Sequence, residues 1–422
     1  PTGRGTPWLA MPRWRAPAVP AARWGACLAL LPRLAVAAEG LPRISLRQSP
    51  TEERIFVDPS GRQRIFHGVN AIVKGPPWLP SRDGFDYLTS LVKEDFELMQ
   101  AAGINSLRLG LMWPAAEPQR GQYDEGYYTR ALEIVEEAAR YGIYTFVDMH
   151  QDAYSELFCG EGLPAWAVDE RWTLLRFPEP FLPAFGKGPD GFPTRQDCGR
   201  LEEKLGMQGT GGYLTPALGQ ATENLYTNKN GLADAWGLYL AKFANMTTGI
   251  GSVLGINLIN EPMTGQPWHN PFRLLPMVAN KLLQGAYDIV SGHIRKANKD
   301  MLLLFPGVVW SDMRGHETNN GFTHPPGGEE TADRSIYAVH FYSPPQKQGG
   351  TSAQEYFHGF ALPNARRLRT GLFLTETWGA DSTSDPWEEA VPVAESLGIS
   401  WSYWEWKDFC KETPQTLNGT SQ

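Results

Sequence analysis

The sequence predicts an α/β fold: a closed (β/α)8 barrel of the TIM type, with a long insertion after the third strand and a truncation at the carboxyl end. Three observations carry that expectation. Eight short apolar or alternating runs recur along the 422 residues, most of them separated by stretches with helical spacing. Strands joined by right-handed crossovers lie parallel, which places their carboxyl ends on one face. The ends of the runs carry Arg108, His150, Asn260, Glu261, His340, Tyr342, Glu376 and Trp404, polar or amphipathic groups on the face where this fold keeps its chemistry.

Taken in order, residues 64–70 read as the first strand and 71–78 as the loop after it. A helix over 91–102 sets Phe96 and Met99 on the side of Leu91 and Val92, and Gly103 ends it. Residues 104–109 alternate as the second strand, 127–141 form a strongly amphipathic helix stopped by Gly142, and 143–150 are the third strand. Residues 151 to about 230 then carry many Pro, Gly and aromatic residues with no sustained period, which reads as a lid or binding wall leaving the catalytic face. A helix over 232–244 leads to the fourth strand at 253–260, and 274–297 holds the next helix or helices. The remaining strands fall at 301–305, 336–342, 371–376 and 399–404. Only 18 residues follow Trp404, too few for a full eighth helix, hence the expected truncation.

With 42% hydrophobic and 20% charged residues the chain can bury a large core. A net charge of −8 argues against a nucleic-acid partner or an anionic membrane, both of which need clustered Lys and Arg. Fifteen Trp and fifteen Tyr offer flat amphipathic rings that suit sugar faces or lipid. Residues 1–38 read as a leader or signal peptide, with Arg13, Arg15 and Arg23, an apolar run at 25–31 and small residues at 35–38. Pro32 and Arg33 interrupt that run, so a disordered Pro- and Arg-rich leader is the other reading. Residues 39–410 form the barrel domain, and 411–422 a tail that opens a missing carboxyl-terminal region.

Cys27 would leave with the leader, Cys159 and Cys198 are expected to pair within the insertion, and Cys410 has no obvious partner. Sequons at Asn245 and Asn418 agree with a secreted, extracellular or lysosomal-type compartment.

The fourth strand delivers Asn260 and Glu261 before Pro262 stops the ladder, and the seventh delivers Glu376. Paired carboxylates are the minimal apparatus for cutting a glycosidic bond, one donating a proton while the other attacks or activates water. A lone strand-end Glu is more often a solvated residue, and the company at the rim shifts that balance.

In order and spacing, residues 60–406 resemble glycoside hydrolase family five, whose members carry the proton donor after the fourth strand in Asn-Glu-Pro and the nucleophile after the seventh. Within it the chain looks most like the endoglycoceramidases, which cut between oligosaccharide and ceramide in glycosphingolipids. The motifs are Gly68-Val69-Asn70 with Lys74, Asp148-Met149-His150-Gln151-Asp152, Asn260-Glu261-Pro262 with Gly265, and His340-Phe341-Tyr342. The resemblance implies a retaining double displacement, with Glu376 as nucleophile and Glu261 as acid/base, and no cofactor or metal. It implies that Lys74, His150 and Asp152 bind the first sugar, that Asn260 reaches its 2-hydroxyl and that Trp404 stacks on its face. Arg108 and Tyr342 would hydrogen-bond Glu376, with His340 supporting the rim. Two departures are Thr377-Trp378-Gly379 where the family commonly has Phe-Gly, and the lack of the family's usual carboxyl-terminal β-sandwich.

A glycosphingolipid partner, at a membrane or micelle surface, needs room for two acyl tails. Trp78, Leu79, Leu157, Phe158, Leu163, Trp166 and Phe272 either form that groove or pack the insertion. Rival readings are a β-glucanase or mannanase, a lipid β-glucosidase, a metal-dependent hydrolase using His150, Asp152, His340 and Glu261, and a non-catalytic glycolipid-binding barrel.

Overall fold

The computed structural model describes residues 40–168, 175–206, 211–309, 319–342, 350–378 and 386–407. The expected leader, the tail at 411–422, Cys27, Cys410 and the Asn418 sequon lie outside the described residues.

Eight parallel strands form the barrel: β3 (His67–Ala71), β4 (Ser106–Gly110), β5 (Tyr144–Asp148), β6 (Val253–Asn257), β7 (Leu303–Pro306), β8 (Ser335–Phe341), β9 (Gly371–Thr377) and β10 (Ser400–Tyr403). Each neighbours the next, and β10 pairs with β3, so the sheet closes on itself. All eight lie at the stretches read as strands, because a short apolar run between helical segments has few other places to go. The helix Glu125–Arg140 shows the same consistency. Asp124 caps it by accepting from the Tyr127 N–H at 2.9 Å, and Tyr127, Tyr128, Ala131, Ile134, Val135 and Ala138 form its buried stripe.

Parity along the strands sorts the barrel interior by height. Low in the barrel, Phe66, Tyr144, Phe146, Leu254, Leu302, Leu304, Ile336, Ala338 and Phe373 pack into an apolar plug. Higher in the barrel stand Arg108 on β4, Asp148 on β5 and His340 on β8. In β9 simple alternation from Phe373 would turn Thr375 inward and Glu376 outward. The pairing slips by one residue instead: Val339 faces Leu374, and the next β8 residue, His340, faces Glu376. That bulge turns the carboxylate into the barrel, and Asn70 Nδ2 donates to the Thr375 carbonyl at 3.2 Å. A second slip lies in β6, between the Thr145–Val253 and Phe146–Gly255 pairs. Both strands that deliver a glutamate are therefore bulged.

Two features depart from the sequence expectation. A hairpin of β1 (Ser45–Gln48) and β2 (Arg54–Val57) precedes the barrel, and its Leu46 and Phe56, with Ile44, close the plug from below. Its strands of four residues, mostly polar in β1, give too short an alternation to stand out. The insertion is also less irregular than its sequence suggests, since it holds helices Arg195–Leu205 and Pro216–Tyr226, capped by Thr194 and Thr215. The first buries only Leu201 and the second is buried almost all round, so neither shows the one-sided stripe that reveals a helix. The Cys159–Cys198 disulfide is present and ties the first helix to the loop after β5.

Candidate active site

Every residue expected at the rim converges there. Arg108, fully buried on β4, is the hub. Its Nη1 donates to Glu376 Oε1 and, at 2.9 Å, to Asn70 Oδ1. Its Nη2 donates to Asn260 Oδ1 at 2.9 Å and lies 3.0 Å from Asp148 Oδ2. A buried guanidinium fans its donors in fixed directions, so one side chain aligns the nucleophile candidate, the amide beside the acid candidate and the carboxylate behind them. Tyr342 completes the Glu376 shell, its hydroxyl donating to Oε2 at 2.8 Å. Burial alone would push the Glu376 carboxyl up. The charges at His340 and Arg108 and the Tyr342 hydrogen bond outweigh it and hold the carboxyl below its usual range.

Glu261 stands in a different setting. Its side chain is 28% exposed against 5% for Glu376, so it can exchange a proton with solvent or a leaving group. His340 Nδ1 lies 2.9 Å from Glu261 Oε1 and 3.6 Å from Glu376 Oε2, placing one imidazole nitrogen between the carboxyls. One carboxylate oxygen of each glutamate and a His340 nitrogen all fall within 4.8 Å of one another. The backbone at Glu261 has φ of +34°, a conformation L residues rarely adopt. Gln151, fully buried, steadies it: Nε2 donates to the carbonyls of Asn260 at 2.8 Å and Glu261 at 2.9 Å.

Beside this pair lies a polar recess. Lys74 meets Asp152, and the Lys74 ammonium sits 5.0 Å from the centre of the Trp404 ring. His150 stacks against Trp404 with ring centres 5.2 Å apart. Its Nδ1 lies 2.8 Å from Asp148 Oδ2 and its Nε2 lies 3.4 Å from Asp152 Oδ2. Burial pushes the imidazole down, and the hydrogen bonds to Asp148 and Asp152 outweigh it, raising His150 to about 9. An ammonium, an imidazole, a carboxylate and an indole face on one wall are what a pyranose needs, polar at its edge and apolar on its face.

Two acidic trios have the spacing of a metal site, His150 with Asp152 and Glu161, and Glu261 with His340 and Glu376. Each already faces a resident cation, Lys74 in the first and Arg108 in the second, which suits hydroxyl recognition better than a dication. The four ligands of the metal-hydrolase reading are divided between these two groups.

Sequence reasoning missed several supports. Asp148, quoted above only as part of a motif, is held by Asn257 Nδ2 and orients both Arg108 and His150. Asn70, Gln151, Glu161 and Tyr213, which donates to Asp152 Oδ1 at 3.1 Å, were also not singled out as site residues. Inward parity with Gly68 is the signal that marks Asn70, and none marks Glu161 or Tyr213. Of the two readings of the apolar loop residues, the structure supports packing over a groove. Leu157, Phe158 and Leu163 are buried and Trp166 half-buried where the insertion packs onto the barrel, and Trp78 and Leu79 are buried in the loop after β3; of the seven only Phe272 is exposed.

The family described as Cellulase (glycosyl hydrolase family 5) matches residues 81–409. An endoglycoceramidase of Hydra vulgaris is 36% identical over 360 residues, 85% of this chain and 66% of that protein. One of Cyanea nozakii is 35% identical over 363 residues, 85% of this chain and 69% of that protein. The chain thus spans about two thirds of the length of these curated relatives. Among solved structures, endo-glycoceramidase II from Rhodococcus sp. in a ganglioside GM3 complex has a TM-score of 0.61 at 22% identity, covering 85% of this chain and 79% of that one.

Proposed function

This chain belongs to glycosyl hydrolase family 5, and from that premise we propose that it is a retaining glycosidase cutting the β-glycosidic bond between glycan and ceramide in glycosphingolipids. The observation that carries the reading is that one carboxylate oxygen of Glu261 and one of Glu376 lie within 4.8 Å of each other, with His340 Nδ1 between the two side chains. Retaining enzymes hold their carboxyls about 5–5.5 Å apart, whereas inverting ones leave about 6.5–9.5 Å for a water. Glu376, ionised and aimed by Arg108 and Tyr342, attacks the anomeric carbon while Glu261 gives its proton to the glycosidic oxygen, and the lipid alcohol departs. Water then attacks the glycosyl ester as Glu261 takes its proton, freeing the glycan and restoring both acids.

The lipid half of the proposal is supported by the two relatives named endoglycoceramidase and by one surface feature. Trp268, Phe272, Leu274, Leu275 and Met277 are all about half exposed or more on the segment following Glu261. An apolar patch of this kind beside a catalytic rim calls for a cover, and a membrane or micelle presenting the substrate would supply one. Secretion is supported by the Cys159–Cys198 disulfide, which persists in an oxidising compartment, and glycosylation by the exposure of Asn245.

Incubation with ganglioside GM3 micelles, followed by mass spectrometry, tests the reading. Intact trisaccharide together with ceramide is the expected pair, and the sugar should first appear as the β anomer. Release of glucose alone from a lipid, or action confined to soluble glucan, would replace the glycan–ceramide bond with one of the rival substrates.

A further inference from the structure

Glu161 stands opposite Asp152 across a short antiparallel bridge, closed by the Asp152 N–H to the Glu161 carbonyl at 3.0 Å and the Glu161 N–H to the Asp152 carbonyl at 2.7 Å. Directly opposed residues of such a pair project their side chains from the same face. The close approach is built into the loop. A β-carbon on Gly160 would meet the Asp152 carbonyl at 1.9 Å, and one on Gly162 would meet Gln151 Cβ at 2.2 Å. The disulfide at Cys159 anchors the returning chain one step away.

The Glu161 side chain is 11% exposed, with Oε1 3.6 Å from Lys74 Nζ. That oxygen has no hydrogen-bond partner, and across the recess His150 Nε2 reaches Asp152 Oδ2 only at 3.4 Å. Buried polar atoms left unmatched are uncommon, and a site that receives hydroxyls is a place to find them.

We infer that Glu161 is a further sugar-selecting residue, its Oε1 accepting from a ring hydroxyl seated between Lys74, Asp152 and His150. This deepens the glycosidase reading and rests on it. Burial first, and the charge of Asp152 beside it, push the Glu161 carboxyl up to about 8 against the pull of Lys74, while Lys74 and His150 hold Asp152 far below its ordinary value. One carboxyl is thus neutral and the other ionised, so a single ammonium serves both. The groups facing Glu161 are Lys74 from the loop after β3, Asp152 and His150 with Asp148 behind them from the end of β5, and Tyr213 from the turn Gly211–Leu214. Above about pH 8 Glu161 ionises, competes with Asp152 for Lys74, and weakens sugar binding.

The test compares the parent with Glu161→Met and Glu161→Ser, neither of which places an acceptor at that reach, on 4-methylumbelliferyl β-lactoside, each checked by thermal melting. In a folded variant KM should rise about tenfold, the loss of one buried hydrogen bond, while kcat falls far less. The parent's KM should climb as pH passes about 8, and that climb should vanish in the variants, leaving the one from His150 nearer 9. Parent-like KM and pH dependence in a folded variant overturn the inference, as does failure of both variants to fold, which makes Glu161 a strut of the loop. A parent inert on every β-glycoside refutes the glycosidase reading instead. Lactose titration calorimetry on parent and variants then decides Glu161 alone, with a tenfold loss of affinity for it and equal affinity against it.

Discussion

At the amino-terminal end of the barrel, Phe66, Tyr144, Phe146, Leu254 and Phe373 interlock as an apolar plug. Further up the barrel, Arg108, Asp148, His340 and Glu376 fill the interior with charge, nearly as buried as the plug below them. The plug lowers free energy by removing apolar area from water, and its side chains are interchangeable with others of like volume. The charged end is costly to desolvate and is stable only because each ion meets a partner. One end is thus organised for persistence and the other for a reaction, within a single closed sheet.

The sharpest way to separate the ends is to strip the chemistry without the fold. Glu376→Gln keeps the volume, an acceptor oxygen for Arg108 and an amide N–H that the Tyr342 hydroxyl can accept from, so the melting temperature should move little. Turnover of GM3 should drop by a factor on the order of 10⁴ or more, as for other removed nucleophiles. Equal turnover in the variant would end the catalytic assignment. Arg108→Met reaches further, since it leaves Asp148 and Glu376 buried without their shared cation. The expected loss is about 3–5 kcal/mol in chemical denaturation, together with activity. A variant that stays active would show that the hub is only one of several ways to hold the nucleophile.

How much of this contrast was legible in the sequence follows from what each feature depends on. The eight strands and the glutamates at their ends are local facts, written as short apolar runs that stop at polar residues. The bulge in β9 is a property of pairing: nothing in Leu374-Thr375-Glu376 says that His340 will face Glu376 rather than Thr375. For the same reason the roles of Asp148 and Asn70 stayed hidden, since each depends on partners from other strands, above all the guanidinium that arrives from β4. Glu161 lies in a stretch without periodicity, and its pairing with Asp152 depends on two glycines whose tight contacts are visible only in three dimensions. The helix Pro216–Tyr226 was lost because burial on nearly every side erased its pattern.

The converse experiment removes stability without chemistry. Phe373 meets Phe56 and Phe146 with ring centres 6.0 and 5.2 Å apart, and it lies on the strand that carries Glu376. Phe373→Ala should cost about 3–5 kcal/mol, the usual range for a phenylalanine removed from a packed core. Turnover by the folded fraction should stay near the parent value, because the bulge and Asn70 fix Glu376 independently of the plug. A fall in kcat matching that of Arg108→Met would mean that the two ends are one mechanical unit.

The smallest effect distinguishes the ends by pH. His150 is raised to about 9 in the fold, above the ~6.5 of a free imidazole. The stability it contributes is therefore complete below pH ~6.5 and is lost as pH climbs through about 9. Asp148 runs the other way. Burial raises its carboxyl, the charge of Arg108 and the bond to His150 bring it below the usual range, and its contribution is lost only on acidification. The plug holds no group that titrates between these limits, its one phenol, Tyr144, being pushed upward by burial. Mild alkali should therefore destabilise by on the order of 1–3 kcal/mol, and the opening should begin at the charged end. Amide hydrogen exchange at pH 9, corrected for intrinsic rates, should rise in the loop from Asp148 to Gly162 while β1, β2 and the lower halves of β5 and β9 stay protected. Exchange that starts in the hairpin and plug would mean that the barrel opens from its apolar end, against the ordering that buried ion pairs impose.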